Sequence, residues 1–80
     1  MYYAYILKST KDNRYYYGCT SDLEKRLKYH NSGKVRSTKN RRPLILHYVE
    51  HFHIKTEALK RERFFKSPDG HNWLKKNNII

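Results

Sequence analysis

Apolar and aromatic positions open the chain in two short runs separated by a polar stretch. The first run, Tyr2–Lys8, is apolar on both alternating faces, which is typical of a strand covered on two sides. The polar residues 9–13 have turn chemistry, and Arg14–Thr20 predicts a second strand. We expect an antiparallel hairpin in which Tyr5 pairs with Tyr16 across a two-residue loop. Directly paired residues share a face, so both tyrosines are predicted on one side of the sheet.

A helical pattern follows the hairpin. Ser21 and Glu24 have the spacing of a capping box, and Gly33 lies just beyond the expected helix end near Asn31. Three residues at i, i+4 and i+7 are predicted to face the core. They are Leu23, Leu27 and His30.

The rest of the chain predicts one more strand and two more helices. Leu44–Glu50 is the third strand, and Thr56 caps a helix that reaches about Lys66. The segment 67–70, "SPDG", is expected to break the chain before a short helix over His71–Lys76. The order β-β-α-β-α-α predicts an α+β fold, with helices packed on a small three-stranded antiparallel sheet.

Length and charge narrow the possible functions. Eighty residues are expected to form one domain, 1–80, with a single core. Eighteen Lys and Arg against seven Asp and Glu give a formal charge of +11. Such a surface attracts polyanions, and nucleic acid is the expected partner. An anionic membrane surface and a structural role in a ribosome-like particle are the alternatives.

The sequence has one cysteine and no segment of the kind that crosses a membrane. Cys19 alone excludes an internal disulfide and a multi-cysteine zinc site, and it suits a reducing compartment. The first apolar run is too short to span a bilayer and does not resemble a signal peptide. We therefore expect a cytoplasmic protein with no membrane contact.

A basic loop over residues 33–43 precedes the third strand. Its basic side chains are predicted to contact the phosphate backbone of a nucleic acid, with little base preference. They are Lys34, Arg36, Lys39, Arg41 and Arg42. A merely solubilising loop is the alternative interpretation.

Glu62 conflicts with the pattern of its helix. It shares a face with Ala58, Leu59 and Phe65, so a carboxylate lies within the surface that should be buried. A buried carboxylate needs a cation. An ion pair with Arg26 or Arg61 is one solution, and a divalent metal completed by water and substrate phosphate is the other.

Four further residues are ordinary when taken singly but form a pattern together. Arg26 and His30 lie one helical turn apart, and Tyr5 and Tyr16 are common strand residues. The order Tyr5, Tyr16-x-Gly18, Arg26, His30 and, downstream, Glu62 in "EALKRE" resembles the GIY-YIG nuclease superfamily. The likeness is strongest to its small stand-alone bacterial members, which are related to the amino-terminal nuclease module of an excision-repair endonuclease subunit. It covers nearly the whole chain, although the triplets here read Tyr-Ala-Tyr and Tyr-Tyr-Gly.

The resemblance implies a role for each matching residue. Glu62 would bind one Mg²⁺ or Mn²⁺ ion, and Arg26 would stabilise charge on the phosphate. Tyr16, or else Tyr5, would take a proton from the attacking water. A free tyrosine has a pKa near 10, so nearby positive charge, expected from Arg26 and His30, must favour the phenolate. His30 would also relay a proton or hold a tyrosine in place.

The resemblance and the charge together predict a metal-dependent DNA endonuclease or nicking enzyme. Gly18 would let the backbone approach the site closely. Sequence preference is expected to be low, with DNA repair or recombination as the setting and a separate protein partner as a source of specificity. The alternatives are a non-catalytic DNA- or RNA-binding module of the same fold and an RNA-associated structural protein.

Overall fold

A computed structural model describes every residue, 1–80. Three strands and three helices follow one another in the predicted order, and the α+β class is confirmed. They are β1 (Tyr2–Ser9), β2 (Tyr15–Thr20), α1 (Leu23–Asn31), β3 (Leu44–Phe52), α2 (Lys55–Lys66) and α3 (Pro68–Lys76). A short 3₁₀ turn, Lys39–Arg41, interrupts the basic loop.

The sheet has the order β2-β1-β3, with both pairings antiparallel. The central position of β1 explains why its sequence is apolar on both faces. Ala4 and Ile6 pack with Phe65 and Leu74 under α2 and α3. The alternate residues of β1 form a second cluster on the opposite face, toward α1. Its members are Tyr5, Leu7 and Leu44, with Leu23 and Leu27 packed against them.

The predicted pairing of Tyr5 with Tyr16 is wrong by two positions. Tyr5 pairs with Gly18, and Tyr16 pairs with Leu7. The turn is longer than two residues, because the Ser9 N–H donates to the Arg14 carbonyl oxygen at 2.9 Å. A shift of two preserves the alternation of side chains, so the two tyrosines still lie on one face.

The helix starts differ from the sequence predictions. Asp22, not Ser21, is the N-cap of α1, and its Oδ1 accepts the N–H of Lys25 at 3.0 Å. The predicted cap of α2 is also wrong, since Thr56 lies inside a first turn that begins at Lys55. No side chain caps that turn.

The "SPDG" segment starts α3 and does not merely separate two helices. The Ser67 hydroxyl accepts the N–H of Gly70 at 3.0 Å, and Pro68 is the first helical residue. Proline suits that position because it has no N–H to leave unpaired and its φ is already helical. Trp73 and Leu74 pack against the core.

Candidate active site

Gly18 makes room for the ring of Tyr5. A Cβ at position 18 would lie 2.4 Å from both Cζ and Oη of Tyr5, which is an impossible contact. Tyr5 is only 1% exposed, so its ring lies inside the core. The absence of a side chain at Gly18 therefore lets the buried Tyr5 ring pack directly against the backbone of β2.

A chain of hydrogen bonds links Tyr5 to the basic loop. The Tyr5 hydroxyl lies 3.1 Å from His30 Nε2, and His30 Nδ1 lies 2.9 Å from Thr38 Oγ1. Thr38 itself donates to the Val35 carbonyl oxygen at 3.4 Å. This network assigns the proton to His30 Nδ1, so Nε2 accepts the hydroxyl hydrogen of Tyr5.

His30 is neutral at physiological pH, which corrects one sequence expectation. Burial, reinforced by the nearby Arg26 charge, lowers the pKa of His30 to about 4. The imidazole therefore supplies no positive charge to favour a phenolate. Burial, followed by the neighbouring Tyr16, raises the pKa of Tyr5 well above its usual value. Tyr5 thus stays protonated and serves as a hydrogen-bond donor.

Tyr16 is placed differently from Tyr5 although the two are neighbours. Its ring centroid lies 6.4 Å from that of Tyr5 and 4.8 Å, edge-on, from that of His30. Tyr16 is half-buried, whereas Tyr5 is fully covered. Of the two hydroxyl-bearing rings, Tyr16 is the one that a substrate can reach.

Arg26 is the free cation of the site. The half-buried guanidinium forms no ion pair and no side-chain hydrogen bond. It shares with Tyr5 the wall of an apolar cavity of about 240 Å³ between α1 and β3. An arginine without a protein partner beside two tyrosines is available to bind an anion.

Glu62 lies toward the site, but the predicted partners are wrong. Lys66, one turn later on α2, donates to Oε2 at 2.7 Å, while Arg61 pairs with Glu50 instead. The Glu62 side chain is 19% exposed. Its charge raises the pKa of Tyr5 and that of Cys19, and Arg26 lowers both. Glu62 and Arg26 thus lie close enough to Tyr5 and Cys19 to shift the pKa values of both in opposite directions.

The surroundings of Glu62 fit a metal ion only if water and phosphate supply most of its ligands. No group of three His, Cys, Asp or Glu side chains comes together anywhere in the structure, so no closed protein cage exists. Glu62 has one oxygen without a protein partner and one bound by a flexible lysine. A hard carboxylate of this kind fits Mg²⁺ or Mn²⁺ when water and phosphate oxygens supply the other ligands.

The basic loop residues are not equivalent. Arg41 is half-buried and ties the loop to the hairpin, since its Nη2 donates to the Tyr15 carbonyl oxygen at 3.1 Å. Its Nε lies 3.4 Å from Asp12 Oδ2, an ion-pair contact without hydrogen-bond geometry. Arg42 donates to the Lys39 carbonyl oxygen at 2.8 Å but is otherwise exposed. The remaining three, Lys34, Arg36 and Lys39, are exposed.

Sequence reasoning missed two residues near the site. Thr38 is fully buried and orients His30, yet the sequence marks it only as a polar residue in a basic loop. Lys55 lines a cavity together with Arg26 and Cys19, although it lies 29 positions after Arg26 in the chain. A neutral buried histidine needs a partner, but nothing in the sequence indicates which.

None of the three helices is both long enough and apolar enough to cross a membrane.

Comparison with known proteins identifies the family. The model of the GIY-YIG catalytic domain matches residues 1–77. The UPF0213 protein YazA of Bacillus subtilis is 47% identical over 66 residues, which are 81% of this chain and 66% of YazA. A UPF0213 protein of Bacillus pumilus is 45% identical over 80 residues, 99% of this chain and 76% of the relative.

A solved structure agrees with this assignment. The solution NMR structure of the UPF0213 protein BH0048 from Bacillus halodurans superposes with a TM-score of 0.54 at 36% identity. The match covers 95% of this chain and 84% of BH0048. This chain therefore belongs to the GIY-YIG catalytic-domain family, within the nuclease superfamily of that name, and its relatives are the small stand-alone UPF0213 proteins.

Proposed function

We propose that residues 1–80 form one nuclease domain, a metal-dependent DNA endonuclease or nicking enzyme with low intrinsic sequence specificity. One observation carries the proposal. Arg26 lies without a protein partner beside the buried Tyr5, and the Glu62 carboxylate, which is 19% exposed, also lies close enough to influence the pKa of Tyr5. A structural arginine would be paired, whereas a phosphate-binding arginine has to remain free.

Each side chain has a distinct role in phosphodiester hydrolysis. Arg26 stabilises the negative charge that develops on the non-bridging oxygens in the transition state. Tyr16 takes the proton from the attacking water, because Tyr5 is held protonated and already donates to His30. Tyr5 and His30 are positioning residues that fix the ring of Tyr16.

Glu62 would hold the divalent ion, Mg²⁺ or Mn²⁺, which supplies Lewis-acid stabilisation of the phosphate and the leaving 3′-oxygen. The oxygen of Glu62 that has no protein partner would be free for the ion, while Lys66 competes at Oε2. The lysine of this pair is half-exposed, and pairs open to solvent are worth only about 0–1 kcal/mol, so Lys66 competes weakly. By family resemblance the products carry a 5′-phosphate and a 3′-hydroxyl.

The exposed cations of the loop, Lys34, Arg36, Lys39 and Arg42, contact the DNA backbone. Arg41 contributes mainly by holding the loop against the hairpin. Affinity should therefore fall with salt and depend little on sequence. DNA repair or recombination in the cytoplasm, with a protein partner that selects the target, is the setting consistent with such a domain.

The test is nicking of supercoiled plasmid with Mg²⁺ or Mn²⁺. Glu62→Gln and Tyr16→Phe should each abolish nicking. Glu57→Gln and Tyr15→Phe are matched controls, because they make the same chemical changes on the same helix and strand, away from Arg26. Nicking that survives both site substitutions would refute the assignment.

A non-catalytic binding module remains the second candidate, and one observation favours it. The Lys66 ammonium at 2.7 Å already neutralises the Glu62 carboxylate. In that case wild-type protein should bind plasmid and retard it in a gel, with no nicking at any Mg²⁺ or Mn²⁺ concentration.

A further inference from the structure

Two cavities meet at Arg26 on the outer side of the molecule. Both are lined by Thr20, Ser21 and Arg26. The first, the Tyr29 cavity, has a volume of about 440 Å³ and adds Asp22, Lys25 and Tyr29 to these three. The second, the Tyr2 cavity, has a volume of about 320 Å³ and adds Tyr2 and Lys55, among others. Arg26 thus separates two concave surfaces.

The two cavities repeat one combination of side chains. Each has one tyrosine and one lysine, Tyr29 with Lys25 and Tyr2 with Lys55. Tyr29 is 44% exposed, so its ring is open to a ligand in this cavity. An aromatic face beside a cation, repeated along a path, is how proteins bind the bases and phosphates of a single strand.

We propose that the two cavities bind the nucleotides on either side of the phosphate held by Arg26, so that the substrate is unpaired there. This inference rests on the proposed function for the role of Arg26. Tyr29 and Tyr2 stack on the flanking bases, and Lys25 and Lys55 contact the adjoining phosphates. A base inside a duplex is covered on both faces by its neighbours, so it cannot lie on a tyrosine until it leaves the stack.

The acidic residue in the Tyr29 cavity does not oppose this assignment. One oxygen of Asp22 accepts the Lys25 N–H as the cap of α1. Tyr29 already has a weak cation contact, since Lys34 Nζ lies 5.8 Å from its ring centroid. A base can occupy the open face of the ring while Lys34 approaches the strand. The Tyr29 cavity therefore lies beside a cation of the basic loop.

Fluorescence anisotropy with a short labelled oligothymidylate, in excess EDTA, measures binding apart from cleavage. Tyr29→Leu should weaken binding roughly fivefold to a hundredfold, the range seen when a stacking aromatic is removed. Tyr29→Phe should retain wild-type affinity. On a strand of the same length made of abasic units, wild type and Tyr29→Leu should bind equally, because phosphates remain and bases are absent.

A matched pair of lysines tests whether the single-stranded nucleic acid passes along the Tyr29 cavity. Lys25 lines the Tyr29 cavity, whereas Lys28 on the same helix lines neither and pairs with Glu24 at 3.5 Å. Lys25→Ala and Lys28→Ala remove the same charge, and Lys25→Ala should have the larger effect. Tyr2→Leu and Lys55→Ala give the corresponding test of the Tyr2 cavity.

The inference and the proposed function fail in different ways. The subsites are overturned if Tyr29→Leu binds oligothymidylate as tightly as wild type does. They are also overturned if Tyr29→Leu loses as much affinity for the abasic strand as for oligothymidylate. Both conclusions hold even if plasmid nicking depends on Glu62. Conversely, a base-dependent loss in Tyr29→Leu supports the subsites even if no metal ion ever produces cleavage. Preference for a duplex over a single strand of the same sequence also overturns the inference.

Discussion

Arg26 and Arg61 lie near opposite faces of the same sheet and show how differently one residue type can be used. Arg61 donates to both oxygens of Glu50, at 2.8 and 3.3 Å, and its guanidinium lies 4.4 Å from the ring centroid of Trp73. Glu50 also accepts the Tyr48 hydroxyl at 2.5 Å, and burial with this bond raises the pKa of Tyr48 to about 12. Arg26 has no comparable partner.

The two faces of the sheet differ in whether their charged side chains have protein partners. On the side of α2 and α3, Arg61, Glu50 and Tyr48 satisfy one another, which gives a fixed structural network. On the side of α1, the neutral side chains of Tyr5, His30 and Thr38 form hydrogen bonds with one another. The Arg26 guanidinium has no protein partner there. The Arg26 guanidinium has no ion pair that would explain its position, and it is therefore available to an anionic ligand.

The largest expected effect separates the two arginines. Arg26→Ala should lower the nicking rate by about 10²–10³, because one transition-state donor is lost. Its unfolding free energy should stay within about 0.5 kcal/mol of wild type. Arg61→Ala should do the reverse, with a loss of about 2 kcal/mol in stability and an unchanged rate per folded molecule. Nicking time courses and urea denaturation measure both; equal stability losses would break the comparison.

Acid should destabilise the α1 side through His30. The pKa of His30 is about 4 in the folded protein and near 6.5 when unfolded, so the unfolded state binds more protons between these values. Stability is therefore complete above about pH 6.5 and falls as the pH drops toward 4, by about 3 kcal/mol in all. Urea titrations across this range measure the loss. His30→Gln should flatten this part of the profile, whereas the exposed His51→Gln should not.

Gly18→Ala should destabilise the protein by about 1–3 kcal/mol, because its methyl group overlaps the Tyr5 ring. Thermal unfolding measures the change. The Tyr5→Leu background provides the control, since a smaller side chain should remove most of the cost in a double-mutant cycle. Additive losses would mean that Tyr5 and Gly18 do not constrain each other.

The smallest effect concerns Lys66. Lys66→Ala should change the unfolding free energy by no more than about 0.5 kcal/mol, because the pair with Glu62 is solvent-accessible on the lysine side. Removal of this competing cation should lower the Mg²⁺ concentration for half-maximal nicking by roughly twofold to fivefold. Lys60→Ala, on the same helix, is the matched control and should leave the Mg²⁺ requirement unchanged.

Much of the fold follows from local pattern. The run Tyr2–Lys8 is apolar on both faces because β1 is central, and the strand ends agree with prediction to within about two residues. The misplaced starts of α1 and α2 have a local cause as well. At α1 two capping residues, Ser21 and Asp22, stand side by side, and only the backbone decides which of them turns its oxygen toward a free N–H. At α2 the helix begins one residue before Thr56 and has no side-chain cap.

The candidate site was less accessible to such reasoning. The family resemblance indicated the candidate residues, but it indicated neither their hydrogen-bond and ion-pair partners nor their protonation states. The candidates are Tyr5, Tyr16, Arg26, His30 and Glu62. Glu62 turned out to pair with Lys66, and His30 is neutral. Burial sets the protonation of His30, and burial depends on residues distant in the chain, such as Tyr5.

The sequence by itself determined the order of elements and the basic surface, because these depend on local periodicity and composition, and its resemblance to a family suggested the set of candidate site residues. Only the tertiary structure decided which hydroxyl is covered, which arginine is paired and which cavities flank it. Those properties arise when β1 brings α1 and α2 to opposite faces of one sheet, so that each side chain's partners come from elsewhere in the chain.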